Sequence, residues 1–276
     1  MQHTEGSFES SDGLKMYYQA WLPEDARRGV VCIVHGIGEH SGRYANVVNV
    51  LVPAGFAVYG MDNRGHGRSE GVRGGLPAWA ALHTDLGQSL AMVRQAQPDV
   101  PLFLMGHSLG GLIVLGYALR HSDGLRGVVA SAPSLQSKGI SPLLMALARL
   151  LSRVTPNLTM KTGLDASAIS RDPAVVQAYV NDPLVHALAT PRMATESEAE
   201  MAWVNARAGQ WQLPLLMLHG DADRLVPLEG TRTFFEQAPV EDKTLHVYPG
   251  GFHESHNDLH KEQAIGDILA WLEAHL

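Results

Sequence analysis

Short apolar runs alternate with longer stretches of helical periodicity along most of this chain. "GVVCIVHG" is followed by "YANVVNVLVPAG" and "FAVYGMD"; later "TDLGQSLAMVRQAQ" leads to "VPLFLMGHS", "LGGLIVLGYALRHS" and "GLRGVVASAP". Further on come "LPLLMLHGDAD", "EGTRTFFEQA", "KTLHVYPGG" and "KEQAIGDILAWLEAHL". Near-continuous Val/Ile/Leu strands between amphipathic helices predict a mostly parallel central sheet flanked by helices on both faces. The opening "SFESSDGLKMYYQAWLP" reads as two strands about a Ser-Asp-Gly turn, an antiparallel hairpin at the sheet edge.

The alternation stops between Ser134 and Gln212, an interval too long for a strand-to-helix connection. This predicts a core of residues 1–133 and 213–276 interrupted by a helical cap at 134–212. Within it, "PLLMALARLLSRV" gathers Leu143, Leu144, Leu147, Leu150, Leu151 and Val154 on one side, opposite Arg149 and Arg153. Such a helix either packs on the core or forms an apolar entrance above a site in the sheet.

Composition narrows the class. With 276 residues, 45% hydrophobic and 18% charged, the chain can bury a large core. A net charge of −7 without a dense Lys/Arg run argues against nucleic acid as a partner. The one cysteine, Cys32, lies inside an apolar run and reads as a buried small hydrophobe, so no intrachain disulfide is expected. No apolar leader is visible near the N-terminus and no apolar run reaches the ~20 residues of a membrane span, so a cytoplasmic protein is expected.

Gly-x-Ser-x-Gly occurs twice, as "GRSEG" (67–71) and "GHSLG" (106–110). A nucleophile elbow needs a strand running in and a helix leading out, so that a tight turn projects the serine hydroxyl. Ser108 has both, with "PLFLM" before it and "LGGLIVLGYALRH" after it. Ser69 is followed by "EGVRGGLP" and reads as part of a polar loop. Ser108 is therefore the expected nucleophile.

A serine needs a base, and the base an orienting acid; in an α/β-hydrolase the chain order is Ser, acid, His. Two carboxylates compete in "GDADRLVP". Asp221 is placed to cap its own turn, whereas Asp223 lies deeper in the loop, can reach the next one, and is favoured. The next strand delivers His253, before the final helix. Of the other histidines, His107 belongs to the elbow, while His219 and His246 fall within strands, where core packing is expected. The oxyanion donors are expected at the N–H of Leu109 and at Ile37, between the flexible Gly36 and Gly38.

"HGIGEHSGRY", "DNRGHGRSEG", "GHSLGG", "NDPL", "GDADRLV" and "YPGGFHE", in that order from about Gly29 onward, resemble the monoacylglycerol lipases and lysophospholipase-like relatives of the α/β-hydrolase superfamily. The resemblance implies ester hydrolysis by Ser108, Asp223 and His253, without metal or organic cofactor. It implies that Glu39, Arg43 and His256 line a pocket for the glycerol part of a small-molecule lipid ester. A transient contact of the cap with a membrane or micelle would fit a location peripheral to the membrane. Head group and acyl length stay open between a monoacylglycerol, a lysophospholipid and a general short- or medium-chain ester. A prolyl-type aminopeptidase would need an acidic cluster for the substrate amine, and none is evident. A non-catalytic relative would lack part of the triad.

"FHESHNDLH" carries His253, His256 and His260 at spacings of three and four, which on a helix would share one face. A metal site is one reading of that spacing. The favoured reading divides them: His253 the base, His256 facing the pocket, and His260 solvent-facing at the start of the last helix.

Overall fold

The computed structural model describes residues 1–25, 27–137 and 141–276. In chain order the core elements begin β1 (Gln2–Glu9), β2 (Lys15–Leu22), β3 (Gly29–Val34), α1 (Ala45–Leu51), β4 (Phe56–Met61), α2 (Trp79–Ala96), β5 (Leu102–His107), α3 (Leu109–Ala118) and β6 (Gly127–Ser131). The interval then holds α4 (Pro142–Val154), β7 (Met160–Lys161), α5 (Pro173–Asn181), β8 (Leu188–Ala189) and α6 (Pro191–Asn205). The core resumes with β9 (Leu215–Gly220), α7 (Leu228–Gln237), β10 (Lys243–Tyr248) and α8 (Lys261–Ala274).

The described residues form an eight-stranded sheet in the order β1-β2-β4-β3-β5-β6-β9-β10. β1 and β2 are an antiparallel edge hairpin, β2 runs antiparallel to β4, and the other pairings are parallel. Burial follows position. β3, β4, β5, β6 and β9 are buried along their whole lengths, whereas edge strand β1 is largely exposed.

Successive side chains of a strand point to opposite faces, and β3 shows the consequence. Val30, Cys32 and Val34 join the apolar layer under α2 and α3, while Val31 and Ile33 join the layer under α1 and α8. Each fully buried Leu in these layers, such as Leu112 or Leu272, contributes about 2 kcal/mol of hydrophobic stabilisation.

Helices α4, α5 and α6 share one start signal. Ser141, Asp172 and Thr190 each precede a proline and accept a hydrogen bond from the first turn, at Leu144, Ala174 and Met193. Helix α4 spans the stretch expected from its periodicity, and Arg149 pairs with Glu198 of α6 at 2.9 Å. Its apolar stripe does not lie on the sheet: Leu143 is 82% and Val154 68% exposed, while Met145 is buried. Among the described residues, no helix is long and apolar enough to cross a membrane.

Candidate active site

Parallel register brings the C-terminal ends of the central strands to one edge, where the loops after β3, β5, β9 and β10 converge. Ser108 follows β5 at once and caps α3, with φ 54 and ψ −118. A non-glycine residue in that region stores about 1–3 kcal/mol of strain. Backbone bonds hold it there: Ser108 N–H donates to Ser131 O (2.9 Å), and Ser108 O accepts from Leu112 and Ser134 N–H. The turn is tight enough that a Cβ on Gly110 would sit 2.0 Å from Val34 O, and one on Gly106 2.3 Å from Gly110 O. Leu109 N–H opens helix α3, where the first amides have no partner within the helix.

The loop after β9 carries two carboxylates with different jobs. Asp221 Oδ1 accepts from Gly250 N–H at 2.6 Å and ties this loop to the one after β10. Asp223 Oδ1 accepts from Leu225 and Val226 N–H at 2.7 and 3.0 Å, which aims Oδ2 at the His253 ring. His253 Nδ1 lies 2.7 Å from Oδ2; an ionised carboxylate only accepts, so Nδ1 carries the proton. Burial alone would raise the Asp223 pKa, but His253 and hydrogen bonds from His219, His253 and Val226 N–H hold it well below the usual carboxylate range. Burial pulls His253 down, and Asp223 more than offsets this, with help from Glu254 and Glu39, so its pKa is raised. His107, whose ring centroid is 4.6 Å from that of His253, is pushed well below the ordinary range by burial and stays neutral at pH 7.

Ser108, Leu109, Ile37, His253 and Glu39 line one cavity of about 560 Å³. A second, mainly apolar cavity of about 320 Å³ lies under α4, lined by Leu144, Met145, Leu151 and Met193; both cavities include Ile37, Thr162 and Ser197. Ile37 sits in a loop fixed from both sides. Gly36 N–H donates to Glu39 Oε1 (2.7 Å), and Gly38 O accepts from His186 N–H of the interval (2.8 Å).

The polar groups expected to face a glycerol unit fall into two kinds. Glu39 reaches the cavity, although its carboxylate is engaged by Gly36 N–H, Tyr44 OH and Arg43. Arg43 is tied to Glu39 at 2.8 Å and to both oxygens of Glu254 at 2.7 and 2.8 Å, beneath the Tyr179 ring. It clamps the loop after β3 to the loop after β10. His256 is 1% exposed, stacked on Tyr44 at 4.8 Å and edge-on to His107. Among the described residues neither of its ring nitrogens has a hydrogen-bond partner, and it is absent from the cavity lining.

Two other histidines differ from expectation, and a third makes a contact that was not foreseen. The stretch from His253 to His260 is a series of turns, with α8 starting at Lys261, so helical spacing does not align its rings. His260 is not solvent-facing: it stacks on Tyr248 at 4.5 Å and contacts the Arg171 guanidinium at 2.8 Å. His246 is not core, because β10 is the sheet edge and its side chain is 39% exposed. His219 is buried as expected, yet it packs onto Asp223, with Nε2 3.1 Å from Oδ2. The sequence reading also passed over Ser134, whose Oγ lies 3.5 Å from Ser108 Oγ, and Glu254. For the His219 contact the available signal is its position four residues before Asp223, whereas no spacing marks Ser134 or Glu254.

Comparison with known proteins agrees with this architecture. The family model of the serine aminopeptidases, S33, matches residues 25–260. A monoacylglycerol lipase of Mycolicibacterium smegmatis is 37% identical over 275 residues, covering 99% of this chain and 98% of that one. The monoglyceride lipase of Rattus norvegicus is 31% identical, covering 95% of this chain and 88% of its own. The crystal structure of the Paleococcus ferrophilus monoacylglycerol lipase superposes with a TM-score of 0.85 at 35% identity, over 100% of both chains. This chain belongs to the serine aminopeptidase S33 family, has the α/β-hydrolase fold, and is similar over nearly its whole length to those monoacylglycerol lipases.

Proposed function

We propose that this chain hydrolyses the ester of a monoacylglycerol through an acyl-enzyme, with Ser108 as nucleophile, His253 as base and Asp223 as orienting acid. The observation that carries this reading is the 2.7 Å pair of His253 and Asp223 opening on the same cavity as the strained Ser108 turn. His253 takes the Ser108 proton as Oγ attacks the ester carbonyl. Leu109 and Ile37 N–H receive the oxyanion, an interaction whose loss typically lowers turnover about 10²–10³-fold. His253 then protonates the leaving alcohol and activates a water for deacylation.

Two adjoining cavities support this substrate class. The apolar space under α4 suits an acyl chain, and the polar cavity beside Glu39 suits a small polyol. Arg43 contributes by holding Glu39 and the His253 loop in place, and His256 by packing behind them. The relatives named as monoacylglycerol lipases support the same assignment. An aminopeptidase would need a carboxylate free for the substrate amine, yet Glu39 and Glu254 are both ion-paired with Arg43. Residues 134–212 act as a cap, and the exposed leucines of α4 rest on a membrane or micelle surface during substrate capture.

The test is turnover of monoacylglycerols, diacylglycerols and lysophospholipids by the wild type and Ser108→Ala. Monoacylglycerol is expected to be the best substrate, with turnover lost in the variant while its circular dichroism is unchanged. Retained turnover in Ser108→Ala would overturn the mechanism; a preference for lysophospholipid would overturn the substrate.

A further inference from the structure

We infer that His219 is a positioning residue for Asp223, resting on the Ser108–His253–Asp223 reading above: it shares the carboxylate oxygen that His253 uses, and so sets the pH at which His253 becomes competent.

The ring is fully buried at the end of β9, with three neighbours placed around its two nitrogens. Nε2 lies 3.1 Å from Asp223 Oδ2 and 3.2 Å from Val226 O. Both are acceptors only, so Nε2 carries the proton and donates to them. Nδ1 is then the acceptor, and Thr231 Oγ1 of α7, at 2.8 Å, donates to it. The chain of donors runs from Thr231 to His219 to Asp223, and meets the one from His253 at the same oxygen. Asp223 thus receives two backbone N–H groups on Oδ1 and two imidazole N–H groups on Oδ2.

Sharing has a direction. Each donor to a carboxylate stabilises its charge and makes it a weaker acceptor for the next. His219 therefore draws charge from the oxygen that raises the basicity of His253. The other groups facing His253 are Glu39, Glu254 and the rings of His107 and His256. Arg224, beside Asp223 in sequence, lies over the Phe252 ring and 3.7 Å from Asp165. None of these changes when His219 is replaced, so a shift on replacement reports the donor itself.

The experiment is kcat/KM against pH on a p-nitrophenyl ester for wild type, His219→Phe and His219→Gln, with Ser108→Ala as control. Removing the donor leaves Asp223 a stronger partner for imidazolium. The acid limb of His219→Phe should move to higher pH by at least about half a unit, chiefly in kcat/KM at low pH. His219→Gln keeps an amide N–H near the Nε2 position and should return the limb toward the wild-type one. A residue that only fills space would leave the limb where it is in both variants. If Ser108→Ala is inactive and folded His219→Phe keeps the wild-type limb, this inference alone falls; if Ser108→Ala remains active, the triad reading falls first. Should His219→Phe not fold, nitrogen-15 NMR of the wild-type ring decides. The proton is expected on Nε2, and a proton on Nδ1 overturns the proposal.

Discussion

The two Gly-x-Ser-x-Gly turns of this protein share a motif and almost nothing else. In the turn at 67–71, Ser69 is 2% exposed and its hydroxyl is committed at both ends. It accepts from Tyr17 N–H at 2.9 Å and donates to Asp62 O at 2.6 Å, pinning β2 to the end of β4. In the turn at 106–110 the backbone hydrogen bonds hold the serine, and its hydroxyl opens on a cavity with Ser134 Oγ at 3.5 Å. The glycines report only that the backbone is crowded. Whether the serine can react depends on where its hydroxyl is directed, and that is set by the strand and helix on either side.

The largest effect that would sharpen this contrast lies in the partners of Ser108 rather than in the motif. Asp223→Asn keeps the shape but replaces an acceptor with an amide, disturbing the His253 tautomer. Turnover of a monoacylglycerol is expected to fall by about 10⁴-fold with little change in melting temperature. A fall below tenfold would mean that Asp223 does not orient the base.

How far the site could be read beforehand follows the same division. Local signals suffice where the geometry is local: the strand–Ser–helix turn at Ser108 and the edge hairpin both follow from neighbours in sequence. The Arg43–Glu254 clamp joins residues 211 positions apart, and no spacing rule foretells it. The spacing of His253, His256 and His260 suggested a shared face only on the assumption of a helix. There the chain turns instead, with Asp258 accepting from Phe252 and Arg171 N–H. The stripe of α4 illustrates a further limit. Periodicity marks an amphipathic helix, but it does not say whether the apolar side meets a core or solvent.

A smaller effect concerns the crowding itself. Gly110→Ala would force a methyl against Val34 O and His35 O, both backbone atoms, and is expected to destabilise the fold by about 3 kcal/mol in urea denaturation. An unchanged midpoint would show that the turn relaxes without strain. Smaller still is Ser69→Ala, which strips Tyr17 N–H of its acceptor. Stability should fall by about 1–3 kcal/mol with kcat/KM unchanged, a pairing that loss of activity at constant stability would contradict.

The most direct measurement is covalent labelling by an alkyl fluorophosphonate, with the modified peptide identified by mass spectrometry. One equivalent on Ser108, none on Ser69, and no labelling after Asp223→Asn over the same interval is the predicted result. Modification of Ser69, or a native chain that takes up no label, would contradict the account.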